Sequence, residues 1–317
     1  MRRATRQLLI RSADCLAAVP SYCAALFLAT IRSRGIQNFP LSKRAMLSAG
    51  AYPLTHHYYD PLVDPAKLFR PLSDERPLPG IDWNIDEQLA LLERFTFSRE
   101  LDRAVEEEPR LVLPNSMFGP GDAEYWYNLI RVKKPKKIIE VGCGYSTLLA
   151  QAALRANARE NAADRCEHIC IEPYENPWLE SLDVDLQRQR LEVADRGWFA
   201  TLQEDDILFI DSSHAIRPQG DAVIALLEIV PSLQPGVIVH FHDIFSPRDY
   251  LETFVFEQMR IWGEQYLLEA FMSYNSNWKI IGSVYYLSKH HYKNVHKFSP
   301  TLVPTKNPGS FYIQRLR

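Results

Sequence analysis

The sequence predicts an α/β fold, a three-layer α/β/α sandwich around a mostly parallel sheet. Three observations carry this. Lys137-Ile-Ile-Glu-Val141 is a short apolar strand that runs into a turn with Gly142 and Gly144, then into a helix start with Ser146 and Thr147. Further apolar runs ending in carboxylates or histidines recur at 168–172, 206–211 and 237–243, with enough chain between them for helical crossovers. A chain of 317 residues at 46% hydrophobic can bury a full core, as one large domain with an extension or as two small ones.

The elements follow in order. Residues 1–75 read as a basic, apolar extension and a Pro-rich strap, and 76–317 as the folded domain. Up to Arg44 there are eight basic side chains against the single acid Asp14, around an uncharged run of 17 residues, Cys15 to Ile31, interrupted by Pro20. A membrane-spanning helix wants about 20 apolar residues, and this run is shorter and includes Ser21, Tyr22 and Thr30. Packing on a partner subunit or on the core is therefore preferred, and the first of these would make a homo-oligomer. Peripheral contact of residues 1–44 with an anionic membrane surface comes next, and a true anchor or signal last.

Six prolines between Pro53 and Pro79 mark a loop region. Within it His56-His-Tyr-Tyr-Asp60 suits either a lid over a sugar or polyol, or a strap packing its tyrosines on the core. Asp86 to Arg94 reads as an amphipathic helix with Leu89, Leu92 and Phe95 on one side. Asn115 to Asp122 breaks the chain, and Asp122 is a suitable N-cap for a helix over Ala123 to Arg131.

The strands after Val141 are expected at His168 to Glu172, Arg190 to Asp195, Asp206 to Asp211, and Val237 to His242 behind the Pro235-Gly236 turn. Glu252 to Tyr274 reads as one long helical segment. Trp278 to Leu287 and Ser310 to Leu316 alternate as the last two strands.

The first turn is built for a nucleotide-type ligand. Glycines there permit positive φ and let backbone N–H groups approach a ligand, and a helix start favours a carboxylate or phosphate. The third glycine of a dinucleotide fingerprint is missing, because Thr147 stands there, and no P-loop pattern is present. Glu172 ends the second strand, where a carboxylate can accept both hydrogen bonds of a ribose diol. Asp195 is expected to reach an adenine amino group.

A second cluster, Asp211, His214, His240, His242 and Asp243, comes from two strand ends at the same carboxyl edge. Carboxylates with imidazoles suit a divalent metal, Mg, Mn or Fe. Asp211, His242 and Asp243 are the expected ligands. His214 is a fourth ligand or a general base, and His240 is a packed, hydrogen-bonded residue behind them. The other reading is that these histidines satisfy polar groups around the ligand with no metal.

The stretch Glu140-Val-Gly-Cys-Gly-Tyr145-Ser-Thr147 resembles motif I of the class I S-adenosylmethionine-dependent methyltransferases. The segment Phe209-Ile-Asp-Ser-Ser-His214 followed by His242-Asp243-Ile244 is similar to the branch that holds metal-dependent sugar O-methyltransferases and cephalosporin-hydroxylase-like proteins. Leu78-Pro-Gly-Ile-Asp-Trp83 and Lys306-Asn-Pro-Gly-Ser310 resemble a bacterial subgroup of that branch. Catechol-type relatives carry Asp-Asn where this chain has His242-Asp243.

The resemblance implies a Rossmann-like, seven-stranded sheet with its last strand antiparallel, a cofactor half at 115–215 and an acceptor and metal side at 211–317. It implies S-adenosyl-L-methionine held by Glu140, Gly142, Gly144, Tyr145, Ser146, Thr147, Glu172, Asp195 and Asp122. Phe118 and Tyr125 are further candidates for covering it. The implied activity is O-methylation of a sugar or glycoconjugate hydroxyl with metal assistance, with Asp211 and His214 catalytic. The alternatives are a metal-dependent oxygenase on the same scaffold, a metal-free methyltransferase, and a non-catalytic partner in glycan or natural-product assembly.

A net charge of −3 argues against nucleic acid as the partner; the acceptor is then a small molecule or glycan. The basic run Lys133 to Lys137 reads as a solvated turn. Five cysteines without disulfide or C-x-x-C spacing fit a reducing, cytoplasmic compartment, with membrane association through the extension.

Overall fold

The computed structural model describes residues 2–54, 60–115 and 117–317, and for 2–10 and 12 the backbone path alone. The chain forms two compact units, one of residues up to Phe69 with Thr253–Ile261, the other of Arg70–Glu252 with Trp262–Arg317.

In the first unit, α1 (Arg2–Ser33) is followed by α2 (Pro40–Ser48), which starts on a proline whose missing N–H costs nothing at that position. Arg32 pairs with Asp60. Ala13–Ser33 has a mean hydropathy of 1.6, and only 6% of its most apolar window is buried. Leu16, Val19, Tyr22, Leu26 and Phe27 are all exposed. These side chains are uncovered, and by length and composition the helix is able to cross a membrane. The expected lid motif falls on residues 55–59, outside the described residues.

The second unit opens with α3 (Ile85–Leu92), α4 (Glu100–Glu107) and α5 (Asp122–Lys133). Then β1 (Lys137–Val141), α6 (Tyr145–Glu160), β2 (Glu167–Ile171), β3 (Asp185–Gln187), α7 (Arg196–Ala200), β4 (Ile207–Ile210), α8 (Asp221–Ile224) and β5 (Ile238–Phe241) build the parallel part. The chain ends with α9 (Glu264–Met272), β6 (Trp278–Ser283), α10 (Val284–His290), α11 (Tyr292–Phe298) and β7 (Phe311–Arg315). The strand order is β3-β2-β1-β4-β5-β7-β6, and β7 runs antiparallel to both its neighbours. This is the seven-stranded Rossmann-like sheet the resemblance implied.

Apart from Lys137, Glu140 and His240, β1, β4 and β5 are apolar throughout, because helices cover both faces. On one face Leu129, Ile130, Leu148 and Leu149 pack over Ile138, Phe209 and Ile238. On the other, Phe199, Leu226, Ile229 and Leu268 pack over Ile139, Leu208 and Val239. Each such side chain contributes about 1.5–3 kcal/mol by leaving water, so the strand ends are held on a rigid platform.

Three expected elements are corrected. The third strand is Asp185–Gln187, not Arg190–Asp195; Leu191–Val193 is a single 3₁₀ turn with Val193 exposed. The segment from Trp278 to Leu287 is strand only to Ser283. There the Ser283 N–H and hydroxyl both bond Gln88 Oε1, and α10 then buries Val284, Leu287 and Ser288 at helical spacing. The long helix over 252–274 is a short π-helical turn, Thr253–Glu257, and the separate α9.

Candidate active site

The β1 turn is fixed by steric necessity. Gly142 has φ +83°, and a Cβ there would lie 1.8 Å from the Asp211 carbonyl oxygen. This close approach is possible because Gly142 N–H donates to Ile171 O (3.0 Å) and Asp211 N–H to Val141 O (2.8 Å), drawing three strand ends together. The ends of β1, β2 and β4 enclose a cavity of about 320 Å³ lined by Gly142, Glu172, Tyr174, Leu191, Glu192 and Asp211, among others. That volume is at the lower end for a small-molecule pocket. A larger cavity of about 740 Å³ is lined by Leu101, Ala123 and Phe298, among others, and by no strand residue.

Glu172 is buried and lines the cavity, as expected. Its Oε1 accepts from the Tyr174 and Glu175 N–H groups (both 2.8 Å), and its Oε2 from Cys143 N–H (3.3 Å). These donors fix the carboxylate and leave acceptor capacity for hydroxyls. Tyr174, an exposed aromatic at the rim, was missed in the sequence because loop aromatics carry no periodic signal.

Other expected cofactor residues do different work. Glu140 is fully buried, with Oε1 accepting from Ser146 Oγ (2.5 Å) and Oε2 3.0 Å from His168 Nε2. It clasps α6 to β1 and β2 rather than facing the cavity. Thr147 Oγ1 accepts from Gly144 N–H (3.0 Å), closing the first turn of α6. Tyr145 is half-buried and, with Gly144, lies outside the residues lining the cavity. Asp195 is exposed and caps α7 through Gly197 N–H (2.8 Å); Glu192 lines the cavity where Asp195 was expected.

Asp122 begins α5 as its first residue, with Gly121 at the cap. Its carboxylate accepts from the Gly309 and Ser310 N–H groups (3.1 and 2.7 Å) and approaches His242 Nε2 at 3.7 Å. It therefore belongs to the acidic cluster, not the cofactor cavity. Phe118 stacks on His242 with ring centres 4.9 Å apart, and Tyr125 is buried with its hydroxyl donating to Ile281 O.

The second cluster assembles at the β4 and β5 ends. Asp211, His214 and Asp243 each offer a ligand atom, and these atoms lie within 4.8 Å of one another. His214 Nε2 is 3.2 Å from Asp211 Oδ1 and 3.8 Å from Asp243 Oδ2, while Nδ1 is 2.8 Å from Glu264 Oε2. His242 Nδ1 stands 3.6 Å from Asp211 and 3.8 Å from Asp243. The expected triad of Asp211, His242 and Asp243 is thus adjacent in space, but His214 is the imidazole that closes the tightest grouping. His214 and Asp243 both hold φ +56°. Two non-glycine residues in the left-handed region at one site mark strain that the surroundings must enforce.

Glu264 supplies that enforcement. It is fully buried on the first turn of α9, and its N–H and that of Gly263 both donate to His214 O (3.1 and 2.8 Å). Sequence reasoning missed it because 50 residues separate it from His214.

Burial opposes charge on His214, but Asp211 and Glu264 outweigh it and push the imidazole up to about 10. Burial would likewise raise Asp211, yet His242 and His214 hold it well below the usual carboxylate range. Asp243 is pushed up, first by burial, with the Asp211 charge adding to it. Neither ring nitrogen of His242 has a hydrogen-bond partner among the described residues. The same is true of His240, which is packed between Tyr312 and Phe209, and burial drives its pKa down. The expected packing of His240 is present and its expected hydrogen bond is not.

Residues 139–244 match the family model for a methyltransferase domain. About a third of the chain is therefore similar to methyltransferase domains. The match begins in β1 and ends just past Asp243, so it spans both the cavity and the acidic cluster. The domain is also similar to an uncharacterized protein of Archaeoglobus fulgidus, 27% identical over 168 residues, 48% of this chain and 74% of that protein.

Among solved structures, the chain is similar to a candidate O-methyltransferase from Klebsiella pneumoniae at 18% identity and a TM-score of 0.40, covering 68% of this chain and 89% of that one. It is similar as well to an O-methyltransferase from Bacillus cereus in complex with SAH, at 12% identity and a TM-score of 0.38, covering 72% and 91%.

Proposed function

We propose that the protein transfers a methyl group from S-adenosylmethionine to a hydroxyl of a sugar or glycoconjugate, with a divalent ion at the acidic cluster. One observation carries this reading. The cavity lined by Gly142 and Glu172 and the cluster of Asp211, His214 and Asp243 share Asp211, so a cofactor in the first stands beside an acceptor in the second.

In this reading Glu172 takes the ribose hydroxyls and Tyr174 faces the base. The donor set fits a hard divalent cation: two carboxylates, an imidazole whose far nitrogen is held by Glu264, and His242 beside them with neither ring nitrogen hydrogen-bonded among the described residues. Asp211, His214 and Asp243 would hold the ion, with His242 in reach. A bound ion there supplies acidity to an acceptor hydroxyl and orients its oxygen. The chain's own contribution is to position the acceptor against the cofactor.

A second reading, in which His214 and Glu264 act as a base pair without metal, is favoured by their direct 2.8 Å contact. Calorimetric titration of S-adenosylmethionine, then methyl transfer to a panel of hydroxylated acceptors with and without chelator, separates these. Binding near micromolar, worth about −8 kcal/mol, with activity lost in chelator supports the first. Full activity in chelator selects the second, and no binding at millimolar cofactor ends both.

We further propose that α1 seats in a lipid bilayer at its cytoplasmic side, where the cofactor is made. The uncovered apolar run and the basic residues at both of its ends support this.

A further inference from the structure

Arg248 and Lys289 form a pair of cations with no carboxylate partner among the described residues. Arg248 lies on the loop that leaves Asp243. Its Nη1 donates to Tyr285 Oη (3.2 Å), and its Nε is buried without a partner among the described residues. The neighbouring carboxylate, Asp249, is taken by Arg76, as is Glu269. Lys289 projects from α10 onto the same Tyr285 ring, with Nζ 5.3 Å from its centre, and the Arg248 guanidinium is 5.7 Å away. Its ammonium donates only to carbonyls, of Pro304 (3.0 Å) and Lys306 (2.9 Å). Burial, and then the Arg248 charge, lower the Lys289 pKa. Two like charges held together at a cost mark a seat for the opposite charge.

The seat is tied to the acidic cluster from both sides. Arg248 N–H donates to Phe245 O (3.1 Å), two residues after Asp243, so the Arg248 backbone is tied to the loop that carries that carboxylate. Gln265 fixes the loop by donating to Arg248 O (2.7 Å) and accepting from Phe245 N–H (2.6 Å), and its neighbour Glu264 holds His214. The carbonyls that hold Lys289 begin the segment whose Gly309 O accepts from Ile244 N–H (2.8 Å). Both cations are therefore anchored to segments that also bond the loop leaving Asp243.

We propose that Arg248 and Lys289, both set against the Tyr285 ring, seat an anionic group of the acceptor, a phosphate or carboxylate, while its hydroxyl lies at Asp211 and Asp243. The proposal rests on the methyl-transfer reading and narrows the acceptor to an anionic sugar or glycoconjugate. A planar guanidinium beside an ammonium suits an oxyanion, since one offers paired donors and the other a point charge.

The test uses the full chain, first titrated with S-adenosylmethionine, then with inorganic phosphate and separately with acetate. The variants are Arg248→Gln and Lys289→Gln. Saturable binding of either anion, weakened about tenfold in each variant while cofactor affinity is unchanged, is the expected result. Phosphate alone would assign the source as a phosphate ester, and acetate alone a carboxylate. Equal anion binding in wild type and both variants, or none at tens of millimolar, overturns the proposal. If Arg248→Gln also loses cofactor binding through misfolding, Lys289→Gln decides. Cofactor binding without anion binding sinks this inference alone, whereas failure of cofactor binding in the wild type sinks the methyl-transfer reading.

Discussion

The chemistry of this site turns on a few atoms whose freedom has been removed. Gly142 is one: a side chain there meets the Asp211 carbonyl and must also take a positive φ. Gly142→Ala is expected to cost at least ~2 kcal/mol and to abolish cofactor binding, read by thermal unfolding and calorimetry. Glu264 is another. Glu264→Gln leaves the cavity intact but frees His214, so S-adenosylmethionine affinity should hold while methyl transfer falls roughly 10- to 100-fold; equal losses of both would show a merely structural residue. His214 and His168 are each raised from 6.5 to about 10. A raised folded pKa gives stability that is fully present below about 6.5 and lost as pH rises through about 10. The ion-free protein should therefore unfold more easily across that window. An ion at Asp211 and Asp243 repels the proton on His214, so binding near neutrality should release about one proton, seen as a dependence of binding heat on buffer ionisation. No buffer dependence would remove His214 from the ion's ligands. Asp211 and Asp243 were legible in the sequence because each follows closely on an apolar strand, whereas His242 was read as the third ligand and His214 as a fourth ligand or a base. Glu264 was not, because only folding brings it there.

At the scale of elements, legibility followed burial. β1, β2, β4 and β5 are buried on both faces, so their apolar runs stand out in the sequence. β3 is an edge strand of three residues, Asp185, Leu186 and Gln187, that pairs only with β2. An edge strand needs no apolar run, so it passed unseen while the more apolar Arg190–Asp195 took its place in the reading. α1 shows the converse. Its composition was read correctly as basic, apolar and helical, but its fate depends on what covers it. Commitment to a bilayer gives a sharp expectation: the full chain should co-sediment with anionic phospholipid vesicles, and Leu26→Lys with Phe27→Lys should release it, since each charge placed at the helix centre costs about 2.5–3.5 kcal/mol on insertion scales. A wild-type chain that stays in the supernatant as a dimer, and a double variant that is monomeric, would instead assign those residues to a second copy.

Across the whole molecule, the doubly covered sheet makes the carboxyl edge a fixed frame on which two ligands can bind side by side. The cavity takes its polar groups from β1, β2 and the start of the β4 loop, the cluster from β4, β5 and α9, and Asp211 is the shared member. A residue that lines only one of the two sites should then affect only that site's ligand. A ligand at a hundred times its dissociation constant stabilises a protein by about 2.7 kcal/mol, a shift of several degrees in Tm. S-adenosylmethionine should give that shift in the wild type and in Asp243→Asn, because Asp243 does not line the cavity. Mn²⁺ should shift the wild type and Glu172→Gln but not Asp243→Asn. Asp211→Asn alone should lose the metal shift and weaken the cofactor shift together. If Asp243→Asn abolished the cofactor shift as well, the two ligands would not occupy neighbouring halves of one edge, and the reaction proposed between them would lose its geometry.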